Sequence, residues 1–95
     1  MKCLHIITPV KDSIDSTLET VKAIMESDIL VPFTYTVYND FSTEENTHRL
    51  EEAARQWNFR LVNLSDLTDH PSPNYLLVFQ TAQKEAIEAD AGLLI

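Results

Sequence analysis

The fold that this 95-residue sequence predicts is a three-layer α/β/α domain around a mostly parallel sheet with strand order 3-2-1-4. Two observations predict it. Short apolar or alternating runs take turns with amphipathic stretches in the order βαβαβαβ, which calls for parallel strands joined by helices. Right-handed crossovers then let the chain wind outward from strand 1 through strands 2 and 3 and return to place strand 4 on strand 1's other side.

The first strand is read from Cys3 to Thr8, Cys-Leu-His-Ile-Ile-Thr, a short β-branched run suited to burial on both faces. Pro9, which has no N–H to donate, is expected to end its ladder. Ile14, Leu18, Val21 and Met25 recur at helical spacing behind Asp12 and Ser13, either of which can cap, so a helix is expected over about 14–27. Phe33, Tyr35 and Val37 alternate with Thr34, Thr36 and Tyr38, giving a period-two strand over 33–39.

Ser42 with Glu45 three places on is the capping-box pattern for a second helix, whose core stripe is Leu50, Ala53, Ala54 and Trp57. A third strand is expected over 59–64 and a polar loop over 65–73. Ser72-Pro73 reads as N-cap and first helical residue of a third helix with the stripe Leu76, Phe79, Ala82, Ala86 and Ala89. Gly92 then introduces a fourth strand through Leu93, Leu94 and Ile95. There is no internal repeat or low-complexity tract, and residues 1–95 are expected to form one domain, burying roughly 60 to 65% of the unfolded surface.

A net charge of -8 disfavours nucleic acid and anionic lipid as partners, yet permits a small phosphorylated ligand neutralised locally. Cys3 is the sole cysteine, so no intrachain disulfide forms and a cytoplasmic setting is expected. No run approaches the roughly 18 apolar residues of a membrane span, although a longer protein can carry an anchor elsewhere. His5, His48 and His70 lack metal-ligand spacing; His5 is expected as a hydrogen-bonded core residue and Cys3 as a small buried apolar one. Trp57 and Phe59 read as core, and Glu51, Glu52, Lys84, Glu85 and Glu88 as solvated helix faces.

Where the strand order reverses, a crevice is expected at the carboxyl end of strand 1. The segments Thr8-Pro9-Val10-Lys11-Asp12 and Asn39-Asp40-Phe41-Ser42 end there, on strands about 5 Å apart. IITPVKDSIDSTLETVKAI followed by YTVYNDFSTEENTHRLEEAA resembles the opening of family 2 glycosyltransferases. In these, one strand ends in a Pro-Val-Tyr-Asn-like turn and the next in an Asp-Asp-Gly-Ser-Thr-Asp-like turn. The likeness covers nearly the whole chain and implies the Rossmann-like, nucleotide-binding half of a GT-A fold.

By that resemblance the protein is the N-terminal part of a glycosyltransferase that moves a sugar from a nucleotide-diphosphate sugar, with a UDP-sugar as first expectation, to an acceptor. Thr8, Pro9 and Val10 would line the base, Asp40 would accept from the N3–H of uracil, and Ser42 would be a further nucleotide-binding residue. A fixed carboxylate suits that task, because a base that cannot donate there is rejected. The family's Mg²⁺ or Mn²⁺ ligands follow the fourth strand, so the resemblance places them, the acceptor site and the catalytic base beyond Ile95. The 95 residues are then expected to be a piece of a longer enzyme, inactive alone.

Asn39 stands where the family has its first aspartate, Phe41 where it has glycine, and Lys11-Asp12 where it has Tyr-Asn. A bulky Phe41 is expected to avoid positive φ and give that turn another shape. Read without the resemblance, Asp40 favours the N-terminus of the second helix, by roughly 0.3 to 1 kcal/mol, while Lys11, Asp12 and Ser42 are turn and cap residues. The alternative function is a non-catalytic α/β binding or signalling module. A receiver is disfavoured within that class, because Asp12 and Asp40 are too sparse a carboxylate set and no lysine ends a strand. The open edge of strand 4 raises the further expectation of self-association.

Overall fold

The computed structural model describes residues 3–27, 31–69 and 74–94, apart from the side chain of Tyr75. Its elements are β1 (Cys3–Val10), α1 (Ile14–Met25), β2 (Phe33–Asn39), α2 (Glu44–Trp57), β3 (Arg60–Asn63), a 3₁₀ turn (Leu64–Asp66), α3 (Tyr75–Glu88) and β4 (Ala91–Leu94). The sheet order is β3-β2-β1-β4, and every pairing is parallel. This is a Rossmann-like winding with the order expected from the sequence.

β1 continues through Pro9 to Val10, two residues past the expected end. The Leu4 N–H donates to Pro32 O and the Asp40 N–H to Val10 O, so even-numbered residues of β1 turn their backbone groups toward β2. Pro9 is odd. Its missing N–H lies on the other side, past the Cys3–Ile6 stretch that pairs with β4, and the β1–β2 ladder loses nothing.

Alternation along the strands divides the core in two. On one face Ile6, Val10, Tyr35 and Val37 pack with Ile14 and Val21 of α1 and Leu50 and Ala53 of α2. On the other, Ile7 and Tyr38 pack with Leu64 and with Val78 and Ala82 of α3. Phe59 is buried against the ring of Tyr35, with centroids 5.9 Å apart, while Trp57 is half-buried.

The expected stripe of α3 is met at Ala82 and Ala86 and corrected at Leu76, Phe79 and Ala89. Val78, Ala82 and Ala86 are buried at i, i+4, i+8, whereas Leu76 is 70% and Phe79 38% exposed, and Ala89 is exposed as well. With apolar residues on several sides of the helix, periodicity alone did not choose a face. The expected Ser72-Pro73 start and Ile95 lie outside the described residues; Asn74 occupies the N-cap position of α3. α1 ends at Met25, two residues before the expected limit, and β3 is confined to Arg60–Asn63 because Leu64 opens the 3₁₀ turn.

Leu50→Ala removes a side chain with no exposed surface and is expected to lower the unfolding free energy by about 2–5 kcal/mol. Leu76→Ala is expected to change it by no more than about 0.5 kcal/mol. Urea denaturation of both variants checks the corrected phase of α3, since a stripe containing Leu76 requires comparable losses.

Candidate functional site

The turns that follow β1 and β2 are tied together. The Asp12 N–H donates to Ser42 Oγ at 2.8 Å, and Asp12 Oδ1 accepts from the Thr43 N–H at 2.7 Å and from Asn46 Nδ2 at 3.0 Å. One carboxylate of the first turn therefore meets the N-terminus of α2, where free N–H groups and the helix dipole favour negative charge. A salt bridge from Arg49 to Asp15, 2.7 Å, joins α2 to α1 just beyond.

These contacts correct the expected caps. Thr43, not Ser42, occupies the N-cap of α2 and accepts from the Asn46 N–H, so the Ser42–Glu45 capping box is not formed. Ser42 Oγ is taken by Asp12. Ser13 occupies the N-cap position of α1 but makes no side-chain cap bond, and the carboxylate of Asp12, the other expected cap, serves α2 instead.

Phe41 has φ 57° and Asp12 φ 62°, both in the left-handed region. Aspartate tolerates that region, whereas a phenylalanine there costs about 1–2 kcal/mol. The expectation that Phe41 would avoid positive φ is thus corrected. Its ring packs against the Ile7, Tyr38, Leu64 and Val78 cluster, and that burial offsets the backbone cost.

Asn39 is a buried hub. Its Nδ2 donates to Thr47 Oγ1 and Asn63 Oδ1, both at 2.9 Å, and its Oδ1 accepts from the Ser42 N–H at 3.2 Å. It joins the end of β2 to α2 and to β3. Its role was not read from the sequence, because its partners come from residues 8 and 24 positions away.

Asp40 is 5% exposed and belongs to this same corner. Its Oδ2 accepts from the Asn74 N–H at 3.1 Å and its Oδ1 from Asn74 Nδ2 at 2.8 Å. The carboxylate thereby meets the N-cap residue of α3, not the start of α2 that the simpler reading of the sequence favoured. Two of its roughly four acceptor positions are used by Asn74.

The other candidates divide by side-chain direction. Thr8 is half-buried and its Oγ1 accepts from Tyr35 OH at 2.8 Å; Pro9 is half-buried. Val10 is 4% exposed and belongs to the α1/α2 core, which leaves little side-chain surface to offer a base. Ser42 and Asp40 are brought together with Asp12, and Asn74 joins them from the far side of the chain. Among the described residues, no three His, Cys, Asp or Glu side chains are grouped to hold a metal ion. No helix among those residues is long and apolar enough to cross a membrane.

A cavity of about 520 Å³ opens away from this corner, at the N-terminal ends of the strands, between α3 and the β1–β2–β3 surface. Its polar groups include His5, Thr36, Arg60 and Glu85. Arg60 holds Glu85 through both guanidinium nitrogens, so Glu85 is not the solvated residue that its place on a charged helix face suggested. His5 is buried and bonded through Nδ1 to Thr34 Oγ1 at 2.7 Å, as expected of a core histidine, while Cys3 is only half-buried and lines the cavity.

The fold defines a parallel α/β domain of Rossmann-like winding with interlocked turns at the carboxyl ends of its two central strands. Comparison of the chain with protein-family models, curated proteins and solved structures returns no match.

The hydrogen bonds from Asn46 and then Thr43 hold the Asp12 carboxyl below its ordinary value of 3.8. A folded pKa below the unfolded one adds stability that is complete above pH 3.8 and is lost as pH falls through the lower folded value. NMR titration of the Asp12 carboxyl carbon is expected to give a midpoint below 3.8, and Asn46→Ala to move it upward. An unshifted midpoint in the unaltered protein would show that the turn-to-helix link does not persist in solution.

Proposed function

We propose that the corner formed by the β1 and β2 turns is the nucleotide-base site of a sugar-nucleotide-dependent glycosyltransferase, of which this chain is the N-terminal part. The observation that carries the reading is the lock between the turns: Asp12 bonded to Ser42, Thr43 and Asn46 brings both strand ends to one place. Ligands of open α/β sheets bind outside the carboxyl ends of the strands where the order reverses, and β1 lies at that reversal here. Phe41 also adopts the positive φ of the glycine that it replaces in the family's turn.

In this reading Asp40 recognises the base. Its carboxylate retains acceptor capacity beyond the two bonds to Asn74, and the N3–H of uracil donates to it. Thr8 and Pro9 contribute the wall of the site, Val10 supports them from the core, and Ser42 fixes the turn that carries Asp40. In such an enzyme Mg²⁺ or Mn²⁺ would neutralise the leaving diphosphate. The transfer goes to a hydroxyl acceptor.

A second reading, a non-catalytic α/β binding or signalling module, is favoured by the Asn74 clamp on Asp40. Both carboxylate oxygens already serve the start of α3, which is a sufficient structural reason for the residue.

Titration with uridine and cytidine monophosphates separates the two readings. Uracil presents N3–H, whereas the cytosine N3 is an acceptor that meets the carboxylate unfavourably. The glycosyltransferase reading expects saturable amide shifts at residues 8–12 and 39–43, with a Kd on the order of millimolar for the uridine nucleotide and weaker binding of the cytidine one. Silence at those residues with both nucleotides, or equal affinity for the two, rejects Asp40 as a base reader and leaves the binding-module reading.

A further inference from the structure

The cavity at the N-terminal ends of the strands has the makings of a second binding site, remote from the β1 and β2 turns. Its walls carry Met25, Phe33 and Ala86, and its polar groups converge from three strands and a helix: His5, Thr36, Arg60 and Glu85. Two of these are buried side chains left with an unsatisfied atom. His5, 6% exposed, has no hydrogen-bond partner for Nε2 among the described residues, and Thr36, with no exposed surface, has none for Oγ1. Such groups are costly to bury and mark a place where another polar atom belongs.

Their chemistry narrows what that atom is. Burial pushes the His5 pKa down, against the opposing pull of Glu85, so the ring is neutral at pH 7. Glu85 is kept ionised by its hydrogen bonds from Arg60. With a carboxylate on the Nε2 side, the favoured tautomer carries its proton on Nε2, and Nδ1 accepts from the Thr34 hydroxyl. The site thus faces inward with a donor on His5 and an acceptor on Glu85. His5 Nε2 and Glu85 Oε2 are 4.0 Å apart, too far for a direct hydrogen bond. An oxygen about 2.8 Å from each subtends an angle of about 90° between them, close to what a hydroxyl oxygen accepts.

We propose that this cavity binds a small alcohol, a hydroxyl group on an apolar body, with the hydroxyl bridging His5 Nε2 and Glu85 Oε2. The ligand oxygen accepts from His5 Nε2–H, and its proton goes to Glu85. Thr36, paired in register with Arg60 across β2 and β3, supplies a further donor at the polar end. The apolar body lies along Ala86, Ala89 and Ala91, which line the cavity on the same side of the sheet as His5. A carboxylic acid fits less well, because it would meet the ionised Glu85.

Cyclohexanol and cyclohexanone test this on the full 95-residue chain, since the ketone keeps the ring and the acceptor but has no proton for Glu85. Cyclohexanol is expected to produce saturable amide shifts at Thr36, Arg60 and Ala91 and to move the His5 Nε2 resonance, with a Kd on the order of millimolar. Cyclohexanone is expected to bind about fivefold or more weakly, and Thr36→Val to weaken cyclohexanol by a similar factor. Residues 8–12 and 39–43 are expected to stay still, which separates this result from that of the nucleotide titration. Equal binding of alcohol and ketone, an unmoved His5 resonance, or no saturation up to about 50 mM overturns the proposal. If Thr36→Val does not fold, the two ligands on the unaltered chain decide the question.

Discussion

The arrangement of the β1 and β2 turns depends on the carboxylate of Asp12. Parallel pairing brings the ends of these strands side by side, but pairing alone leaves the turns after them free to diverge. Asp12 removes that freedom by accepting from the Thr43 backbone and the Asn46 side chain while its own N–H reaches Ser42. The left-handed backbone at Asp12 turns the chain so that these contacts close. The bonds involve an ionised acceptor at a helix N-terminus, the setting in which such hydrogen bonds are strongest.

Beneath this lock lies a second layer of polar contacts. Asn39 ties β2 to α2 and β3, and Asp40 ties it to the beginning of α3. Four elements therefore meet at the end of one strand through two adjacent side chains. The left-handed Phe41 follows immediately, with its ring committed to the α3-side core. Strain and burial placed at one turn are the pattern found where a backbone shape is maintained for a purpose.

The two ends of the sheet differ in polar satisfaction. At the carboxyl end the side chains of Asp12, Asn39, Asp40 and Ser42 are each hydrogen-bonded, to nearby backbone N–H groups or to Asn46, Thr47, Asn63 and Asn74. At the opposite end His5 and Thr36 are buried with atoms that no described residue satisfies, next to the bidentate Arg60–Glu85 pair. The first arrangement is a finished scaffold around a turn. The second leaves two buried polar atoms unmet beside a cavity, the opposite balance of polar groups at the two ends of one sheet.

The sequence by itself determined the order of elements, the limits of β2, the stripe of α2 and the parallel 3-2-1-4 sheet. Those follow from local periodicity and chain-handedness rules, both of which act over short stretches. It also brought the Thr8–Asp12 and Asn39–Ser42 segments to one end of the sheet. Only the tertiary structure decided which face of α3 is buried, that Pro9 continues β1, that Thr43 caps α2, and that Asp40 is clamped by Asn74. Each of these depends on a partner far along the chain or on the side of a ladder that a neighbouring strand leaves open. The pairing of Glu85 with Arg60, 25 residues apart, is of the same kind: on the helix alone it is a charged surface position, and only the approach of β3 makes it part of a cavity.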